Sequence, residues 1–152
     1  MAGAVPYLLD TNVVLITTRA GNPAAAAIDQ QFRLRDSPFR PAVCEVSVGE
    51  LLAFAHSWGP ARRRLLEDVI AELLVLPISP RDVHVEWARL RSYAKSHGLP
   101  IQQDHNDMWI AAVANVAGLT VIASDVAGFR PIKMAGLVKA ELIDSKSGLR
   151  LQ

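Results

Sequence analysis

Short apolar runs alternate with helix-length segments along the whole sequence. The runs are Val5 to Leu9, Phe39 to Cys44, Leu73 to Ile78, Leu119 to Ala123 and Ala140 to Ile143. Each run has the length of a buried strand, and strands that alternate with helices form a parallel sheet with helices on both faces. The alternation therefore predicts an α/β fold of three layers, α/β/α, around a central, mostly parallel sheet of four to five short strands.

Capping residues and helix breakers indicate where the helices begin and end. Asn22 followed by Pro23 opens one helix, and Gly98 and Gly118 close two others. The first predicted helix begins near Val13. The other five span Ala24 to about Arg35, Val46 to about Ser57, Ala61 to about Glu72, Ser79-Pro80 to His97, and Asp104 to about Ala117. Pro77 in the third apolar run predicts an edge strand or a strand end.

Length and composition indicate one globular domain. A chain of 152 residues predicts a single domain over residues 1–152, and 51% apolar residues exclude a disordered protein. The longest apolar stretch, Trp109 to Ala123, is interrupted by polar residues and is shorter than the roughly 18 residues of a membrane span. Asp10 interrupts the region where a signal peptide would be apolar, and the single cysteine, Cys44, fits a reducing compartment. These features predict a cytoplasmic protein.

Four acidic residues lie where the predicted strands end. Asp10 and Asp125 follow the first and fourth strands, Glu50 is in the early turns of the helix after the second, and Asp107 is in the first turn of the helix before the fourth. Because ligands of open α/β sheets bind outside the carboxyl ends of the strands, these carboxylates are expected to meet at one edge.

Each acid also has a purely structural interpretation. Asp10 and Asp125 suit N-caps or turns, Ser47-Val-Gly-Glu50 matches a capping box, and Asp107 suits the dipole of its helix. Four carboxylates in one cleft, however, raise one another's pKa values, which is costly unless a cation neutralises them. Oxygen ligands without His or Cys are those that Mg²⁺ or Mn²⁺ prefers.

The ordered set of acidic motifs resembles a known family. The motifs are Asp10-Thr-Asn-Val-Val, Ser47-x-x-Glu50-Leu, Asp107-x-x-Ile-Ala-Ala and Ser124-Asp125-x-x-Gly-Phe129. In this order and spacing they resemble a PIN-domain nuclease of the VapC toxin type, over roughly Tyr7 to Ile143. The resemblance implies a metal-dependent endoribonuclease in which Asp10, Glu50, Asp107 and Asp125 hold one or two Mg²⁺ or Mn²⁺ ions.

We assign each acid a hypothetical role on that basis. Asp10 and Asp107 are the first-choice ligands, Glu50 holds a water or acts as a general base, and Asp125 completes the shell of a second ion. Asp104, one helical turn before Asp107, is an additional acid whose simpler interpretation is a helix N-cap.

Neighbouring polar residues are expected to support the ligands. Thr11 and Asn12, directly after Asp10, are placed to hydrogen-bond a ligand carboxylate or a phosphate. Many relatives carry Thr two residues before the last acid, where this chain has Ala123, with Ser124 beside it. The role of Ser124 in positioning the attacking water therefore stays open.

Arginines are the candidates for contact with RNA. Arg62, Arg63 and Arg64 open a helix, where positive charge opposes the dipole, so a solvated face and a phosphate-binding face are both possible. Arg40 is a further candidate, as are Arg19, Arg33 and Arg35. The net charge of +1 excludes binding through bulk charge alone, so RNA binding is expected to depend on the metal ions at the acidic edge.

The helix that carries Glu50 is more apolar than one buried face requires. In VapC-like proteins this region receives an antitoxin segment, so the resemblance implies an antitoxin groove that includes Leu51, Phe54 and Trp58. The family also implies a homodimer. Two other functions stay open: a Mg²⁺-dependent hydrolase of a small phosphorylated substrate, and a non-catalytic PIN-like module that binds RNA.

Overall fold

A computed structural model describes residues 6–19, 21–35, 40–100, 106–124 and 126–151 of the chain. The strands are β1 (Tyr7–Leu9), β2 (Ala42–Cys44), β3 (Leu74–Leu76), β4 (Thr120–Ala123) and β5 (Ala140–Leu142). The helices are α1 (Thr11–Thr17), α2 (Pro23–Phe32), α3 (Glu45–Ala55), α4 (Pro60–Glu72), α5 (Arg81–Ser96), α6 (Asp107–Ala117) and α7 (Val126–Met134).

The five strands form one parallel sheet in the order β3-β2-β1-β4-β5. β1 lies at its centre, with Leu9 beside Val43 of β2 and beside Ile122 of β4. The α/β fold with a mostly parallel sheet is confirmed, and all five named strands are parallel to their neighbours. The strand order places the carboxyl ends of β2, β1 and β4 side by side.

Alternate strand residues face two separate cores. Leu8 and Val121 pack in one core with α5, α6 and α7, whereas Leu9, Val43 and Ile122 pack in the other with α1 to α4. Period-two burial on both faces is what a sheet between two helix layers requires. The three-layer arrangement predicted from the sequence is therefore present.

Several element boundaries differ from the sequence predictions. α1 begins at Thr11, two residues before the predicted start, and α2 ends at Phe32 because Arg33 adopts a left-handed conformation with φ 53°. Asp104 and His105, the first two residues of the predicted helix, lie outside the described residues, and α6 begins at Asp107.

The helix α7 has no counterpart among the predicted elements. Its sequence contains Gly128 and Pro131, which both disfavour a helix interior. Phe129 and Ile132 are nevertheless buried against the sheet, and this burial outweighs the local preference. Among the described residues, no helix combines the length and apolar character needed to cross a membrane.

The turn that follows β5 is anchored to α2 at Gly148. The Gln31 amide donates to the Gly148 carbonyl at 2.6 Å and accepts from the Arg150 N–H at 3.0 Å. Gly148 has φ +74°, and a Cβ there would overlap the Ala24 carbonyl oxygen and stand 3.0 Å from the Ala24 Cα. Glycine therefore allows both the turn and its close approach to α2.

Gly148→Ala is expected to destabilise the fold more than Gly136→Ala, which is a matched control. Gly136 has the same φ of +74°, but a Cβ there would meet nothing within 4 Å. Both variants lose about 1–2 kcal/mol from left-handed strain, and Gly148→Ala loses ~1–3 kcal/mol more from overlap with α2. Denaturant unfolding measures the difference, and equal losses in the two variants would show that the contact with Ala24 is unimportant.

Candidate functional site at the carboxyl edge of the sheet

Asp10 lies at the carboxyl end of the central strand. Its backbone N–H donates to the Ile122 carbonyl at 2.9 Å, and its side chain is buried, with the residue only 3% exposed. The residue occupies the N-cap position of α1, but its carboxylate accepts no capping hydrogen bond from that helix. Asp10 is therefore the N-cap residue of α1 by position, but its carboxylate does not cap the helix. A charged group that is removed from water in this way is stabilised by opposite charge or by hydrogen-bond donors.

Thr11 connects α1 to the helix that carries Glu50. Its Oγ1 lies 2.9 Å from the Ser47 Oγ and 2.9 Å from the Glu50 Oε1. A hydroxyl has one proton and a carboxylate only accepts, so Thr11 donates to Glu50 and accepts from Ser47. Thr11 and Ser47 are buried and Glu50 is half-buried, so the three side chains form a shielded polar link directly beside Asp10.

The capping-box interpretation of Ser47 and Glu50 is wrong. α3 begins at Glu45, so both residues lie inside the helix, and Glu50 binds Thr11 of another helix. Glu45 accepts a hydrogen bond from the Ile78 N–H at 2.7 Å, which ties the start of α3 to the end of β3. The sequence gives little indication that Thr11 contacts Ser47 and Glu50. A Ser three residues before a Glu is also the pattern of a capping box at a helix start.

Asp107 is the first residue of α6 and is half-buried. α6 packs against β2, β4 and α3, and only Gly118 and Leu119 separate its last residue from β4. The end of α6 therefore lies at the amino edge of the sheet, so Asp107 at its start lies toward the carboxyl edge. Trp109 stacks on Trp87 of α5 with ring centroids 4.9 Å apart, which holds the first turn of α6 in place.

Two of the predicted acids, Asp104 and Asp125, lie outside the described residues. Ser124 directly follows β4, precedes Asp125 in the chain, and is half-buried. Among the side chains that are described, no three His, Cys, Asp or Glu residues are grouped closely enough to hold a metal ion. Asp10 and Glu50 are both near Thr11, and their oxygen donors suit a hard divalent cation.

Two carboxylates, those of Glu45 and Glu50, act on Cys44 at the end of β2. Burial raises the pKa of the Cys44 thiol to about 11, and the charges of Glu45 and Glu50 add to this rise. Cys44 is fully buried and therefore protonated at neutral pH, as expected for a small core residue. The same negative charge favours a cation at this edge.

The predicted RNA-binding arginines have different surroundings. Arg40 precedes β2 at the amino edge and donates to the final carbonyls of α4, at Ala71, Glu72 and Leu73. It also lines a cavity of about 820 Å³ between α2 and α4. These bonds give Arg40 a structural role, and it lies away from the end of β1 where Asp10 is found.

The Arg62–Arg64 run divides into three environments. The Arg62 guanidinium lies 3.6 Å from the centre of the Trp58 ring, and Arg63 donates to the last carbonyls of α3, at Ala55 and His56. Arg64 is exposed and has no ion pair or side-chain hydrogen bond within the described part of the chain. Two of the three arginines thus support the α3–α4 junction.

Leu51 does not belong to an exposed groove. It is fully buried together with Ser47 and Ala55, which lie four residues before and after it on the core-facing stripe of α3. Its inclusion in an antitoxin groove is therefore wrong. The large exposed apolar side chains of this helix are Leu52 and Phe54, which are 49% and 52% exposed. Trp58, four residues after Phe54, is half-buried.

Comparison with known proteins identifies the family. Residues 7–132 match the PIN domain. The chain is 34% identical over 122 residues to "Ribonuclease VapC5" of Mycobacterium tuberculosis, and the match covers 78% of this chain and 82% of that protein. These matches confirm the resemblance carried by the acidic motifs.

Solved structures agree with this result. The VapBC-5 toxin–antitoxin structure of Mycobacterium tuberculosis superposes with a TM-score of 0.62 at 28% identity, over 93% of this chain and 98% of the other. The VapBC2 structure of Rickettsia felis, bound to a fragment of promoter DNA, gives a TM-score of 0.73 at 18% identity, over 91% and 98% of the two chains. The chain described here therefore belongs to the PIN-domain family, among proteins of the VapC type.

Proposed function

We propose that this protein is a metal-dependent endoribonuclease and the toxin of a VapBC-type toxin–antitoxin system. The observation that carries the proposal is the buried Asp10 carboxylate at the end of the central strand, next to the link from Thr11 to Glu50. The similar protein VapC5 is itself named a ribonuclease. The proposed reaction is hydrolysis of an RNA phosphodiester bond.

The proposed metal ligands are the four acids of the family motifs, Asp10, Glu50, Asp107 and Asp125. Their donors are all carboxylate oxygens, which fit Mg²⁺ or Mn²⁺ better than a softer ion. A bound ion would supply activation of the attacking water and neutralisation of negative charge on the phosphate. Burial of Asp10 fits this role, since a cation stabilises a carboxylate that is removed from water.

The residues around Asp10 have complementary tasks in this proposal. Thr11 holds one oxygen of Glu50, Oε1, by a 2.9 Å hydrogen bond. The second oxygen, Oε2, is then available to hold a water that is bound to the proposed ion and to take its proton as a general base. Asn12, which is exposed at the start of α1, can donate to a phosphate oxygen.

The proposed antitoxin-binding surface comprises Phe54 and Trp58, which are four residues apart in the chain. Phe54 is a large exposed apolar residue, which favours contact with a partner, and Arg62 over Trp58 adds a cation at the edge of the surface. The similar VapBC-5 protein belongs to a family of toxin–antitoxin systems, which supports a cognate antitoxin here. The homodimer and the cytoplasmic location stay predictions.

Asp10→Asn is expected to lower Mg²⁺- or Mn²⁺-dependent cleavage of total cellular RNA at least about a hundredfold. The amide removes a charge that the proposed ion needs, and such charge stabilisation is worth several kcal/mol. Asp68→Asn, an exposed acid on α4, is the matched control and should cleave normally. Mapping of cleavage ends, with and without chelator, measures the effect, and full activity of Asp10→Asn would refute the assignment.

Thr11→Val is expected to reduce the cleavage rate about tenfold and to destabilise the fold by ~1–3 kcal/mol. The change removes the hydrogen bond to Glu50 and leaves the buried Ser47 hydroxyl without its acceptor. Thr11→Ser keeps the hydroxyl and should restore most of the rate. Single-turnover cleavage measures the effect on the rate, and denaturant unfolding measures the effect on stability. A Thr11→Ser variant that cleaves as slowly as Thr11→Val would show that the hydroxyl does not position Glu50.

Phe54→Ala is expected to weaken antitoxin binding at least about tenfold, since truncation of an aromatic anchor costs more than ~1 kcal/mol. The probe is a candidate antitoxin, defined as a small DNA-binding protein encoded in an adjacent reading frame, and calorimetric titration measures its affinity. Met134→Ala, which truncates a side chain of a 79% exposed residue on α7, is the control. Unchanged affinity in both Phe54→Ala and Trp58→Ala would remove this surface from the interface.

A further inference from the structure

A polar cavity of about 620 Å³ opens beside the candidate active site. Its polar lining comes from α1 and the α1–α2 connection, from the end of β4 and from the turn after β5, and comprises Asn12, Arg19, Asn22, Ser124, Ser145 and Lys146. Asn12 is two residues after Asp10, and Ser124 directly precedes Asp125. The cavity therefore shares a wall with the acidic edge.

Among the described residues that line this cavity, the two charged ones are both positive. Arg19 and Lys146 are exposed, and neither side chain has an ion pair or hydrogen bond within the described residues. The nearby acid Asp144 is not part of the lining, and its Oδ1 accepts hydrogen bonds from the backbone N–H groups of Lys146 and Ser147 at 2.6 and 3.3 Å. Two cations with no acid beside them in the described lining make the cavity attractive to an anion.

The neutral polar groups of the cavity are able to donate hydrogen bonds. The Asn22 Oδ1 accepts from the Ala24 N–H at 2.9 Å, so the remaining polar group of that side chain is the NH₂ donor. Asn12 contributes a second amide, and Ser124 and Ser145 contribute hydroxyls. Cations combined with amide and hydroxyl donors are the set of groups that binds a phosphate oxygen.

The part of the cavity that follows β5 is held in place before any ligand binds. The turn is closed by a 2.7 Å hydrogen bond from the Gly148 N–H to the Asp144 carbonyl. Gln31 of α2 then fixes Gly148 and Arg150. Because the backbone that carries Ser145 and Lys146 is already ordered, binding at this turn costs little further ordering of the chain.

We propose that this cavity binds a backbone phosphate of the RNA strand, next to the phosphate that is cleaved. The proposal rests on the proposed ribonuclease function, and it assigns Arg19 and Lys146 as the phosphate-binding cations. Arg19 and Asn22 also line the larger cavity between α2 and α4, so the two cavities adjoin. The strand would therefore leave the acidic edge past Lys146 and Arg19 and continue toward α2.

The test is the double variant Arg19→Gln/Lys146→Gln with a short, labelled, mixed-sequence single-stranded RNA. Fluorescence anisotropy in chelator at low ionic strength measures binding without cleavage. The chelator also removes the contribution of the metal ions at the acidic edge, so the affinity that remains is the part that Arg19 and Lys146 should supply. We expect roughly tenfold weaker affinity, about threefold for each cation removed, and a salt slope smaller by about 0.7 for each phosphate that is no longer neutralised. With Mg²⁺ present, KM for cleavage should rise while kcat changes little.

The matched control is Arg91→Gln/Lys139→Gln, which removes the same charge elsewhere. Arg91 lies on α5, which packs on the opposite face of the sheet from α1. Lys139 precedes β5 at the amino edge, and neither residue lines the cavity. Equal binding and salt slopes in the two double variants would overturn the inference, as would wild-type protein that binds no RNA in chelator. Failure of the proposed function is a separate result, in which wild-type protein with Mg²⁺ or Mn²⁺ does not cleave RNA.

A nucleoside monophosphate tested as a competitor distinguishes a strand from a small phosphorylated molecule. A strand occupies the cavity together with neighbouring contacts, so it should bind much more tightly than the single nucleotide. Equal affinity of the nucleotide and the strand would overturn the assignment to RNA.

Discussion

The central position of β1 is the constraint on which the arrangement of this protein depends. β1 pairs with β2 on one side and β4 on the other, and the Asp10 N–H continues the ladder to Ile122. Asp10 therefore lies between the carboxyl ends of β2 and β4, and its carboxylate is buried. The helices that follow β1 and β2 begin at the same edge, which lets Thr11 reach Ser47 and Glu50. The position of β1 thus determines where Asp10, Thr11 of α1 and Glu50 of α3 come together.

The charges of the molecule are separated in space although they nearly cancel in sum. Negative charge lies near the ends of β1 and β2, where Glu50 contributes to the raised pKa of Cys44. Positive charge lies beside it, at Arg19 and Lys146 in the polar cavity. Other arginines, such as Arg40 and Arg63, are used to bind the carbonyls at helix ends. The net charge of +1 is therefore the sum over an acidic edge and a cationic cavity next to it.

Much of the fold was predictable because its signals are local. Alternating apolar runs predicted the strands, and the acids after them predicted which edge of the sheet carries the candidate site. The errors have physical causes. α7 contains Gly128 and Pro131, and only the burial of Phe129 and Ile132 in the tertiary structure outweighs them. Leu51 and Phe54 look alike in the sequence, but their different angular positions on α3 bury one and expose the other.

The sequence by itself determined the fold class, the order of the strands and of the helices other than α7, and the position of Asp10 and Glu50 in them. Strand length, helix periodicity and the ends of strands are properties of neighbouring residues, which is why they could be predicted. Only the tertiary structure decided that Thr11 bonds Glu50, that Arg40 binds the end of α4, and that Lys146 shares a cavity with Arg19. These contacts join residues far apart in the chain. Their geometry depends on how helices pack against the sheet, which no local pattern encodes.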